Sequence, residues 1–177
     1  MIPKENISGL EEKLDRDIQK VYLDILEEEH YLYRGLSKFN GIDYDPKFPG
    51  LKDAVQKRYI EYFKKEDFFS FDKLKKCTGI QPDYGINELW EAIQGYYTWD
   101  FKMGNISNIR NVTNRIGIPP DYESEKIKAA VQEAYLLYFK NECLDYAYDL
   151  EEFTGILPDP EILTQYPQYA KYFGDSK

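Results

Sequence analysis

Leu74-Lys75-Lys76-Cys77-Thr78-Gly79-Ile80-Gln81-Pro82-Asp83 ends one helix and prepares the next, and the chain repeats its last half at fixed distance. Gly41, Gly79, Gly117 and Gly155 lie 38 residues apart, and Ile42, Ile80, Ile118 and Ile156 follow them. Asp45, Asp83, Asp121 and Asp159 stand four residues after each Gly, with Pro82, Pro120 and Pro158 before the last three. Each residue type has a physical task. Gly takes the left-handed conformation that ends a helix, and the Ile after it supplies an apolar contact. Pro resists continuation, and Asp is expected to cap the next helix. These Gly and Asp positions are therefore read as structural turn residues. Four copies of one Asp suit a repeated turn better than one active site.

Working outward from that phrase, each unit opens with apolar residues every fourth position. The stripes are Leu51, Val55, Tyr59, Phe63, then Leu89, Ile93, Tyr97, Phe101, then Ile127, Val131, Tyr135, Phe139. That step places them on one helical face. The first unit shows Leu14, Ile18, Tyr22, Leu26, one residue out of step with the others. Lys, Glu and Gln fill the remaining positions and are read as exposed helix formers. A shorter second helix follows, marked by Tyr33 and Leu36, Phe71 and Leu74, Ile109 and Val112, and Ala147 and Leu150. Ser70 and Ser107 are its expected N-caps in two units.

These signals predict an all-α fold: tandem helical-hairpin repeats of period 38 forming a short right-handed α–α solenoid. Residues 1–177 are read as a single repeat domain with units near 10–45, 46–83, 84–121 and 122–159. Residues 1–12 read as a short leader. Residues 160–177 read as a C-terminal capping segment that shields the last hairpin.

The chain carries a net charge of −9, which disfavours general binding to a phosphate backbone. The charge is uneven. Residues 41–78 hold nine Lys or Arg against seven acids, and residues 117–154 hold three against nine. Only two cysteines occur, Cys77 and Cys143, in different units and without a C-x-x-C pairing. The sequence shows no signal peptide and no long apolar run, so a cytoplasmic location and no membrane association are expected. Asn105-Ile106-Ser107 and Asn111-Val112-Thr113 match the glycosylation pattern and are read as chance matches.

Catalytic chemistry finds little support. His30 is the lone histidine and sits beside Glu27, Glu28 and Glu29. A metal centre asks for more ligands at set spacings. No phosphate-binding Gly-rich loop, H-E-x-x-H or nucleophile elbow is present. The chain is read as a non-enzyme, with no cofactor, no metal and no catalytic residue.

The phrase from Leu74 to Asp83, continued by Tyr84-Gly85-Ile86-Asn87-Glu88-Leu89-Trp90, resembles pentatricopeptide repeat proteins and the broader tetratricopeptide-like class. The resemblance implies stacked helical hairpins. It also implies single-stranded RNA binding, with Asp45, Asp83, Asp121 and Asp159 at the base-reading terminal position and Glu88 and Lys126 as early partners.

Function is expected to reside in what differs between units. The leading expectation is a protein–protein interaction scaffold or adaptor that binds a protein or peptide partner through the solenoid surface. Its candidate partner-binding residues are basic Lys57, Arg58, Lys64 and Lys65, and acidic Glu133, Glu142, Asp145 and Asp149. The alternative is RNA binding, using the same cations with Tyr62, Phe68, Tyr96 or Trp99 as stacking platforms. Self-association of a basic second unit with an acidic fourth unit is the third expectation.

Overall fold

Apolar residues recurring at helical spacing bury one side of a helix and leave the rest in water. That pattern organises the whole of the computed structural model, which describes residues 4–27, 45 and 47–173. Among these residues there are nine α-helices and no strand. They are α1 (Lys4–Glu27), α2 (Leu51–Lys64), α3 (Phe68–Thr78), α4 (Asn87–Lys102), α5 (Ile106–Ile116), α6 (Glu125–Lys140), α7 (Leu144–Thr154), α8 (Pro160–Gln165) and α9 (Pro167–Phe173). The chain divides into two compact units, Met1–Trp90 and Glu91–Lys177, and the division falls in the first turn of α4.

In the first unit α1 packs on α2, and α2 pairs with α3 as a hairpin. Leu51, Val55, Tyr59 and Phe63 are all buried, as are Tyr22 and Leu26 of α1. Phe71 of α3 brings its ring to 4.7 Å from that of Tyr59. In the second unit α6 pairs with α7 and touches α8. The stripe Ile127, Val131, Tyr135, Phe139 is buried in α6, as Ile93, Tyr97 and Phe101 are in α4. The short helices close the end. Phe173 sits 5.9 Å from the Tyr135 ring and 5.6 Å from Phe139, and Tyr169 stacks at 4.7 Å on Phe139. This is the tandem helical-hairpin fold of the α–α solenoid type that the period announces.

One hydrogen-bonding device recurs at the loop between hairpins. Tyr59 donates its hydroxyl to the Ile80 carbonyl at 2.6 Å, Tyr97 to Ile118 at 2.6 Å, and Tyr135 to Ile156 at 2.7 Å. One turn earlier on the same helices, Gln56, Gln94 and Gln132 hold the same loops by two contacts each. Each Oε1 accepts the amide of Asp83, Asp121 or Asp159 at 2.7, 2.8 and 2.8 Å. Each Nε2 donates to the carbonyl of Gln81, Pro119 or Leu157 at 2.9, 3.4 and 2.9 Å. Gln19 of α1 accepts the Asp45 amide at 3.1 Å in the same way. The glutamines are thus loop clamps, and Gln19 and Gln56 are buried instead of being exposed helix formers. A loop that leaves helical geometry must find partners for its backbone groups, and these side chains supply them.

Gly79, Gly117 and Gly155 end their helices at φ of 69°, 75° and 68°, each donating its amide to the carbonyl four residues back. The inner turn of each hairpin also uses a left-handed residue, which is Glu66 (φ 57°), Gly104 (φ 72°) or Glu142 (φ 58°). The next amide in each closes on the carbonyl of Tyr62, Asp100 or Tyr138. Only the middle hairpin places glycine there.

Several expectations need correction. Asp83 and Asp121 do not cap the next helix. Their Oδ1 atoms accept the amides of Gly85 and Glu123 at 3.0 and 3.2 Å, and Asp45 accepts that of Lys47 at 2.9 Å. The carboxylates make local turns, because α4 and α6 begin four residues further on. Ser70 and Ser107 lie inside α3 and α5. The N-cap of α3 is Asp67, whose carboxylate accepts the Ser70 amide at 2.9 Å, and the N-cap of α5 is Asn105. Leu14 is exposed, since α1 is 24 residues long and outruns helices of 14 to 16. Residues 4–12, expected to stand apart from the first helix, lie within α1. Gly41, His30, and the Tyr33 and Leu36 helix lie outside the described residues.

Two outcomes check this account. Gln56→Met keeps the length of the side chain and deletes two hydrogen bonds, so urea unfolding followed by circular dichroism should lose about 2 kcal/mol; an unchanged midpoint would remove the clamp from the fold's supports. At the inner turns the signs should oppose. Gly104→Ala should cost about 1–2 kcal/mol, because its new Cβ meets Tyr138 Cε1 at 3.0 Å in a left-handed conformation. Glu142→Gly should gain roughly 0.5–1 kcal/mol.

Candidate functional site

Many residues that the clamps and stripes do not use are exposed, and they differ from hairpin to hairpin. Lys57, Lys64 and Lys65 are exposed on α2 and at its end. Arg58 is not: only 5% of it is accessible, and its guanidinium donates to the Leu26 carbonyl and pairs with Glu61. Arginine is consumed here because α1 ends against α2 with a carbonyl that needs a donor. The basic set is therefore three exposed lysines and one internal arginine.

On the acidic side Glu133, Glu142 and Asp145 are exposed and Asp149 is half-buried. Glu133 accepts from Lys102 Nζ at 2.8 Å, and Asp149 lies 3.7 Å from Arg110 Nη1, so both tie neighbouring hairpins together. Arg110 also lies over the Phe153 ring at 5.1 Å. Glu142 occupies the strained inner turn. Asp100 is a buried carboxylate that accepts from Asn105 Nδ2 at 3.3 Å.

A pocket of about 470 Å³ opens on α7, lined by Tyr148, Glu151, Glu152, Gly155 and Leu157. Tyr148, Glu151, Glu152 and Gly155 follow at helical spacing on one side of α7 and past its end, and Leu157 comes from the loop after it. The Tyr148 ring is held from behind by Phe173, stacked at 5.3 Å and 30°. Among the described residues no cation pairs with Glu151 or Glu152. Two carboxylates beside an aromatic face and an apolar wall suit a lysine or arginine side chain, whose stem packs while its head meets charge.

The tyrosines register this environment. Burial raises the Tyr135 hydroxyl far above its ordinary value of 10.0, with the Glu151 carboxylate adding to it. Tyr148 is raised by partial burial first and then by Tyr172 and Glu151. Burial pushes Tyr122 and Tyr138 up to about 12, with Tyr146, Asp149 and Cys143 reinforcing Tyr138.

The sequence shows Glu151 and Glu152 as adjacent acids without showing the pocket they line. The signal present was Tyr148, three and four residues before them. Gln56, Gln94 and Gln132 recur at the 38-residue period, a regularity the sequence shows without showing what they hold. Of the four aromatics proposed for base stacking, Trp99 is exposed, whereas Tyr62, Phe68 and Tyr96 are half-buried. Among the described residues no group of three His, Cys, Asp or Glu side chains is placed to hold a metal ion. No family model, curated protein or solved structure matches the chain.

An alkaline titration tests the burial of the tyrosines. A raised folded value means the folded state holds its proton more tightly, so that stabilisation is complete below pH 10 and is lost as pH rises from 10 through about 12. Stability should fall across that window, and less steeply in Tyr138→Phe. Equal slopes in both proteins would mean that Tyr138 titrates alike folded and unfolded.

Proposed function

We propose that this chain is a non-enzymatic protein-interaction scaffold whose last hairpin docks a cationic segment of a protein partner. One observation carries the reading. Lys75 and Lys76 on α3, Thr113 and Asn114 on α5, and Glu151 and Glu152 on α7 occupy equivalent places 38 residues apart. The framework repeats while this outward position changes from positive to neutral to negative. Repeat proteins bind through such variable positions on a constant frame. The α7 pocket gives the acidic version a concave form. The fold alone does not select this role; the sign change and the pocket support it.

No described helix is long and apolar enough to cross a membrane. A cytoplasmic setting, where a scaffold meets intracellular partners, belongs to the same proposal. RNA binding has less support, since it needs an aromatic ladder and only Trp99 of the four candidates is exposed.

Affinity capture from lysate, with the intact chain and Glu151→Lys/Glu152→Lys as parallel baits and each arm repeated with ribonuclease, tests the reading. The expected result is a protein retained by the wild type, insensitive to ribonuclease and at least tenfold depleted on the variant. Recovery of RNA, with bound proteins lost on ribonuclease treatment, would place the nucleic-acid reading first.

A further inference from the structure

We propose that the α7 pocket receives α3 of a second copy of this chain. The inference rests on the pocket being a docking site and adds the identity of its occupant.

The two surfaces are equivalent in the repeat and opposite in charge. Lys75 and Lys76 stand on α3 where Glu151 and Glu152 stand on α7. Neither lysine is held in an ion pair among the described residues, and neither are those glutamates. Both pairs are accessible: Lys76 and Glu152 are exposed, and Lys75 and Glu151 are half-buried at the rim. The apolar parts match as well. Phe69 is 74% exposed, the most exposed large hydrophobic side chain among the described residues. It stands seven residues before Lys76, two turns along the same side of α3. An exposed phenyl ring beside cations offers what a pocket walled by Tyr148, Leu157 and two carboxylates takes up. Exposed aromatic rings are a common feature of interface cores, and complementary charge sets their register.

Because the donor patch and the acceptor patch are different surfaces, the contact is heterologous. Each pair leaves one α3 and one α7 unfilled, so association continues past the dimer unless a ring closes. The attraction is electrostatic at its rim and weakens with salt.

Sedimentation velocity of the full chain tests this, over a range of protein concentration at low salt and at about 1 M salt, where the screening length is about 3 Å. The wild type should gain mass with concentration at low salt and lose that gain at high salt. Glu151→Lys/Glu152→Lys carries two basic faces and Lys75→Glu/Lys76→Glu carries two acidic ones, so each alone should stay monomeric. Their equimolar mixture should associate again, since every basic face then finds an acidic one. Circular dichroism confirms that each variant keeps its helices, and the wild-type salt series needs no variant. A wild type of constant monomer mass, association that survives in either variant alone, or a mixture that stays monomeric overturns the proposal. A monomeric wild type whose captured protein still depends on Glu151 and Glu152 rejects the second copy and keeps the scaffold; loss of both rejects the docking surface too.

Discussion

The loop that joins one hairpin to the next has to leave helical geometry while its Pro is buried, and that constraint governs the rest of the molecule. Its amides and carbonyls need partners that the helices cannot supply. Tyr59, Tyr97 and Tyr135 take one carbonyl each, and Gln56, Gln94 and Gln132 take a carbonyl and an amide. Gln and Tyr lie three residues apart on each helix, so both reach the same loop from one face. The second helix of a hairpin is thereby tied to the first, and the start of the next helix is placed by three contacts.

Variation in this device shows which of its parts are exchangeable. Thr78 and Thr154 back-bond to Leu74 and Leu150 and also accept the amides of Ile80 and Ile156. The middle hairpin has Ile116 there, and Thr113 compensates by reaching the Tyr97 hydroxyl at 3.2 Å. The inner turns vary in the other direction. Gly104 meets both the left-handed backbone and the close approach of Tyr138, which donates to its carbonyl at 2.7 Å. Glu66 and Glu142 keep the backbone conformation without glycine's ease. Their strain is tolerated because the closing hydrogen bonds on either side fix the turn.

Fold class, period and core stripes were legible because a buried apolar face repeats in the sequence with helical spacing, and Tyr59, Tyr97 and Tyr135 sit in that face. The clamps were harder to read. A glutamine looks like any exposed helix former until its partner, 25 and 27 residues away, is known to fold back on it. Asp83 and Asp121 misled for a related reason: the same carboxylate serves a turn or a helix cap, and only the distance to the next helix decides, for Asp159 stands at the N-cap position of α8. Arg58 failed as a surface cation because a helix end 32 residues earlier in the chain needed a donor. The α7 pocket needed Phe173 behind Tyr148, a contact that no local pattern announces.

The same physics explains why outward positions are free to diverge. Lys75, Thr113 and Glu151 each serve the fold through a backbone carbonyl, accepting the amides of Gly79, Gly117 and Gly155 at 3.1, 2.8 and 2.7 Å. Any side chain supplies that carbonyl. A positive, a neutral and a negative residue therefore stand at one structural position without a change in the turn they hold. Thr113 alone adds a side-chain bond to the frame, and it belongs to the hairpin that carries no charge at this position. The hairpins with Lys75 and Glu151 have Thr78 and Thr154 to satisfy their loops instead. Moving that hydroxyl to the end of the helix releases the position three residues earlier from structural duty, and it is there that the chain places charge.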